Sequence, residues 1–152
     1  MIEIKKSENA DTRTCDWSKV TKNELLKNSW QHISDVRQGM DFFIGQIYDA
    51  ATDHDKTKIS HIDMFHEDFK TGFEKTEWWD LHQAQERHHL KDEQYVQSDV
   101  NLIDILEMIT DGVTAGLARS GEYRKEEISD TLLRKAFNNT IDLLLKNVAV
   151  KE

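Results

Sequence analysis

The chain contains no proline. Proline kinks or ends helices, so its absence permits long uninterrupted ones. A single cysteine, Cys15, excludes an internal disulfide. That usage fits a reducing compartment, with a catalytic thiol left open beside the plainer reading of a half-buried cysteine. Positive charge is scarce: 20 Lys and Arg face 29 Asp and Glu, for a formal net charge of -9. A basic surface that displaces counterions from nucleic acid needs the opposite balance, so general nucleic-acid binding is not expected. No apolar run reaches the roughly 18 residues of a membrane helix, and no membrane partner is expected. The opening MIEIKKSENADTRTCDW lacks the apolar core of a signal peptide, so secretion by that route is not expected and a cytoplasmic location is. The six glycines are few and mark helix ends or close packing.

What is present suits one all-α domain. The length of 152 residues allows one sizeable core, and 38% hydrophobic with 32% charged residues is a globular balance. Residues 1–20 lack periodicity and read as an irregular arm, anchored by Trp17, with Ile2 and Ile4 alternating as in a short extended segment. Residues 21–152 read as a helical domain of five main helices. Thr21 and Glu24 have capping-box spacing, and apolar residues from Leu26 to Ile47 recur at helical intervals, predicting a helix from about Lys22 to Ala51. TDHDKTK reads as the loop after it. Ser60 predicts the cap of a short helix to about Lys70. A third helix is expected from Trp78 to His89, then a polar linker. Ser98 or Asp99 predicts the cap of a fourth, which Ser120-Gly121 ends. The last runs from about Lys125 to Asn147. No strand ladder is expected.

The histidines stand out by position. Seven occur, and five adjoin other candidate ligands: His32, His54, His82, His88 and His89. On the fourth helix Asp104, Glu107 and Asp111 border the apolar stripe, where a carboxylate is costly unless paired or metal-bound. His82 and His89 share a face of the third helix, and a helix ending near Arg87 frees His88 to point with His82. His61 and His66 read as surface residues. A single histidine is more often a surface or hydrogen-bonded core residue than a ligand; the combination is harder to explain that way.

The order of His32, then His54-Asp55, then Asp111 resembles the HD-domain metal-dependent phosphohydrolases. The doublet is followed by Lys58, as in their HD-x-x-K form. A closer resemblance is to small HD-like proteins of phages and bacteria, on HDKTKIS at 54–60, WDLH at 79–82, RHH at 87–89 and EMITDG at 107–112. It covers about residues 25–125. It departs at Glu86-Arg87, where that group often has Asn-Pro, and at Gly112, where it often has Trp; both changes alter pocket shape.

The resemblance implies an all-α HD-like fold and a metal at His32, His54, Asp55 and Asp111. His82 with His88 or His89 would add a second metal, with Asp55 bridging. Imidazole and carboxylate together suit Mn, Fe, Co, Ni or Zn, as one or two divalent ions. The expected activity is hydrolysis of a small phosphorylated molecule, a nucleotide first, by a phosphatase or phosphodiesterase. Lys58 and Arg87 are candidates to hold phosphate, and Glu107 is a general base or an orienter of a ligand histidine. Trp78 or Trp79 could stack on a base, or pack in the core. The alternatives are a non-catalytic nucleotide- or signal-binding protein, serving counter-defence if the gene is a phage's and then acting in the host cytoplasm, and an interaction module with a stabilising metal. By analogy a homodimer is possible, with the apolar last helix as a candidate interface. One conflict stands: a straight helix over 22–51 holds His32 about 30 Å from His54, so either it breaks near Gly39 or Gly45 or His32 is not a ligand.

Overall fold

A computed structural model describes residues 1–7, 9, 11–123 and 125–151. The expected arm (1–20) and helical domain (21–152) therefore each include positions outside the described residues. Among the described residues the order is β1 (Ile2–Lys5), α1 (Lys22–Asp53), α2 (Lys56–Ser60), α3 (Ile62–Lys70), α4 (Glu77–Gln85), α5 (Leu102–Ser120), α6 (Asp130–Leu145) and β2 (Val148–Lys151). The fold is all-α apart from one small sheet. No helix is long and apolar enough to cross a membrane among the described residues.

The chain forms two compact units, Met1–Gln46 with Asp142–Glu152, and Ile47–Ile141. In the first, β1 and β2 pair in parallel with Ile2 opposite Val148. This ladder was not expected, although Ile2/Ile4 and Val148/Val150 each alternate with other residues. Trp17, the expected anchor of the arm, is 68% exposed. The helix start is as expected: Thr21 N–H donates to Glu24 Oε2 at 2.8 Å, and Glu24 N–H donates to Thr21 Oγ1.

α1 runs without a break from Lys22 to Asp53, so neither Gly39 nor Gly45 interrupts it. About 30 Å of helix lies between His32 and the helix end.

In the second unit the core is Leu90, Val100, Ile105, Met108 and Ala136, with Val96, Leu102, Ile128 and Leu132 packed against it. α5 starts later than expected. Its cap is Asn101, not Ser98 or Asp99: Asn101 accepts from Ile103 N–H, and Asp104 accepts from Asn101 N–H at 2.8 Å. Gly121 ends α5 at φ 71°, a left-handed conformation that glycine adopts without strain. α6 begins at Asp130 rather than near Lys125.

Candidate metal centre

The expected TDHDKTK loop is a turn of two residues. α1 ends at Asp53 and α2 begins at Lys56. Asp55 takes φ 56°, ψ 23°, the left-handed region that Asp and Asn tolerate better than other non-glycine residues. One reversal at this residue places the Asp55 carboxylate among imidazoles. Its Oδ2 lies 3.4 Å from His54 Nε2, and its Oδ1 lies 3.4 Å from His82 Nε2 and 3.8 Å from His88 Nε2. Lys58, one turn along α2, forms an ion pair with Oδ2.

Each of these imidazoles is held from behind. Glu107 on α5 places Oε1 2.8 Å from His54 Nδ1 and 3.0 Å from His88 Nδ1. The Thr57 hydroxyl lies 2.6 Å from His82 Nδ1. With Nδ1 set against a carboxylate or hydroxyl oxygen, Nε2 is the nitrogen turned to Asp55 in all three. Outer partners of this kind set the tautomer and aim of metal-binding histidines. Thr57 is itself fixed, its N–H donating to buried Glu86 at 2.8 Å.

α4 is positioned by Asp68. This buried carboxylate on α3 accepts from the N–H groups of Thr76, Trp78 and Trp79 at 2.9, 3.2 and 3.2 Å. It caps the start of α4 in place of Thr76, whose side chain makes no cap. Trp78 is fully buried, stacked between Phe65 at 4.1 Å and His82 at 4.5 Å between ring centroids. It packs against His82 and offers no face to a base. α4 stops at Gln85, and Glu86 is extended. His88 and His89 therefore leave helical geometry, and both turn to the cluster.

Two groups of side chains could each hold an ion, and they share Asp55: His54, Asp55 and His88, and Asp55, His82 and His89. Within each group the ligand atoms lie within 4.8 Å of one another. Asp111 stands at the edge, Oδ1 3.7 Å from His54 Nε2. Four atoms of the cluster are buried without a hydrogen-bond partner: Asp55 Oδ1, His88 Nδ1, which meets Glu107 only as an ion-pair contact, His88 Nε2 and His89 Nε2. Orphaned buried polar atoms are costly, and cations held in the two groups would satisfy Asp55 Oδ1, His88 Nε2 and His89 Nε2.

Protonation fits for His82 and His89. Burial lowers His82 to about 3, and burial with the neighbouring His88 lowers His89 to about 4. Both are neutral imidazoles, the form that ligates. Burial pushes Asp55 and Glu107 up. Lys58 outweighs it for Asp55, and His88 with His54 for Glu107, so both carboxyls fall below their ordinary values. Burial pulls His88 down, but the Glu107 carboxylate more than offsets this and raises it.

Of the residues singled out from the sequence, His54, Asp55, His82, His88, His89, Glu107, Asp111 and Lys58 converge. His32 belongs to neither ion-holding group. Arg87 is committed elsewhere: its Nε and Nη2 donate to both oxygens of buried Asp104 at 2.7 and 2.9 Å, and its Nη1 and Nη2 reach Asp99. That fork locks the post-α4 turn to the start of α5 and leaves little donor capacity for phosphate. Sequence reasoning missed Thr57, Asp68 and Glu86. For Thr57 a signal existed, its place two residues after Asp55; for Asp68 and Glu86 none did.

Two cavities open on the cluster. One of about 620 Å³ is lined by His88, His89 and Asp111 with polar and charged neighbours including Gln83, Lys91 and Arg119. The other, about 350 Å³, borders His54, Glu107 and Asp111 and is otherwise mostly apolar. Comparison of the chain with protein-family models, with curated proteins and with solved structures finds no match.

Proposed function

We propose that the protein is a metal-dependent phosphohydrolase of HD type, acting on a nucleotide or related small phosphorylated molecule. The observation that carries this reading is the Asp55 carboxylate, flanked on both oxygens by histidine Nε2 atoms and common to two ion-holding groups. A structural ion is normally enclosed by four ligands, whereas this set has more ligands than one ion needs and lies beside two cavities.

His54 with His88 would hold one divalent ion, and His82 with His89 a second, both sharing Asp55. Mn, Fe, Co, Ni and Zn suit this donor set. Ions bound there would supply Lewis acidity towards a phosphoryl oxygen and an acidified water near neutral pH. The chain's own groups do the rest. Glu107 and Thr57 keep the histidine tautomers fixed. Lys58, beside Asp55, is the cation available to a phosphoryl oxygen once Asp55 turns to metal. Asp111, at the rim, can accept a proton from an incoming water.

Metal content by elemental mass spectrometry on the wild type and Asp55→Asn tests the reading. Asparagine tolerates the left-handed backbone, so the variant removes charge without straining the turn. Metal in the wild type that is lost in the variant, followed by phosphate release from nucleotides with Mn²⁺, Co²⁺ or Ni²⁺, is expected. A wild type that stays metal-free after reconstitution overturns it. Stoichiometric nucleotide binding without product would instead favour a capture protein.

A further inference from the structure

We infer that the smaller cavity beside His54 is a subsite for an apolar arm of the phosphoryl substrate. This deepens the hydrolase reading and rests on it. The cavity is about 350 Å³ and is walled by Ile47, Ala50 and Ala51 from the end of α1 and by Ile103 and Leu106 from α5. Its polar end is the cluster itself, through His54, Glu107 and Asp111. A group entering it from a phosphoryl oxygen at the cluster passes directly onto alkyl side chains.

The remaining polar residues in the wall are Thr110 and Thr114. Neither has a proton to offer: Thr110 Oγ1 donates to Leu106 O at 2.8 Å, and Thr114 Oγ1 to Thr110 O at 2.9 Å. A nucleobase placed here would leave its ring acceptors without donors, at the usual penalty for stranded polar groups. An alkyl or aryl arm loses nothing and gains burial. The larger cavity is mixed: Gln83, Lys91, Arg119 and Glu126 line it beside Trp79, Leu90 and Met108. The two meet at Asp111, which lines both. A phosphoryl group at the cluster thus faces an apolar wall on one side and, on the other, a mixed wall that offers polar and charged groups. The substrate class this fits is an unsymmetrical phosphodiester with one apolar and one polar substituent.

The test is calorimetric and needs no turnover. Methyl-, butyl- and hexylphosphonate, which cannot be hydrolysed, are titrated into the full-length, Mn²⁺-loaded protein, with 1-hexanol as a phosphorus-free probe. Full burial gains about fourfold in affinity per methylene. The expected result is a rise of about tenfold or more from methyl- to butylphosphonate, abolished in Ala50→Leu, which fills the cavity with a good helix former. Equal affinity for methyl- and hexylphosphonate overturns the subsite and leaves the hydrolase reading standing. Hexanol binding that Ala50→Leu removes, with no phosphonate bound, overturns the phosphoryl assignment and the hydrolase reading together. The wild-type series decides the matter even if the variant does not fold.

Discussion

Glu107 Oε1 sits 2.8 Å from His54 Nδ1, joining α5 to the turn after α1 across 53 residues of sequence. The same oxygen reaches His88. One carboxylate thus aims two imidazoles at Asp55, and its substitution separates aiming from ligation. Glu107→Gln keeps the shape and removes the charge. Metal affinity should fall about 10- to 100-fold while stoichiometry at saturation is unchanged. Competition with a chromogenic chelator measures this. Unaltered affinity would show that Glu107 orients nothing.

Sharing of Asp55 predicts a stoichiometric pattern. The wild type should bind two divalent ions per chain, His82→Asn one, and Asp55→Asn none, by equilibrium dialysis with elemental analysis. A wild type that binds one ion, retained in His82→Asn, would assign His82 to packing under Trp78.

The metal-free protein should lose stability on mild acidification. His82 and His89 have folded pKa values near 3 and 4, below the ordinary 6.5. Their contribution is full above 6.5 and is lost as pH falls from there towards those folded values, because the unfolded chain takes up protons that the fold refuses. His88 acts oppositely: its raised pKa favours the fold at lower pH. Two depressed groups against one raised one leave a net loss of stability between about pH 7.5 and 5.5. Urea unfolding in chelator reads this directly, and a midpoint unchanged or higher at pH 5.5 contradicts it.

Arg87 should matter for folding. Arg87→Met leaves the Asp104 carboxylate, 3% exposed, without its fork, at a cost of about 3–5 kcal/mol. Denaturation midpoints should show the loss, and Arg87→Met with Asp104→Leu should recover part of it. Recovery stays partial because Asp104 also accepts from Asn101 N–H at the start of α5. A single variant as stable as wild type would return Arg87 to the list of substrate-binding groups.

Much of this protein was legible from local sequence. The capping box at Thr21 and Glu24, the apolar period of α1 and the glycine stop at Gly121 depend on residues a few positions apart, so spacing alone reveals them. The candidate ligands were likewise visible as a chemically consistent set. Chain spacing could not choose among them. α1 shows no break at Gly39 or Gly45, and His32 is in neither ion-holding group. The stop at Gln85 brought in both His88 and His89, where a continuing helix would have divided them. Pairing of β1 with β2 joins the two ends of the chain, a closure no local window contains. Arg87 was read by its charge, and the fold gave that charge to Asp104, 17 residues on. Residue type and short-range order thus determined which chemistry was available and where helices start and stop. Only the tertiary structure decided which side chains share a site, because that depends on distances in space between residues the sequence keeps far apart.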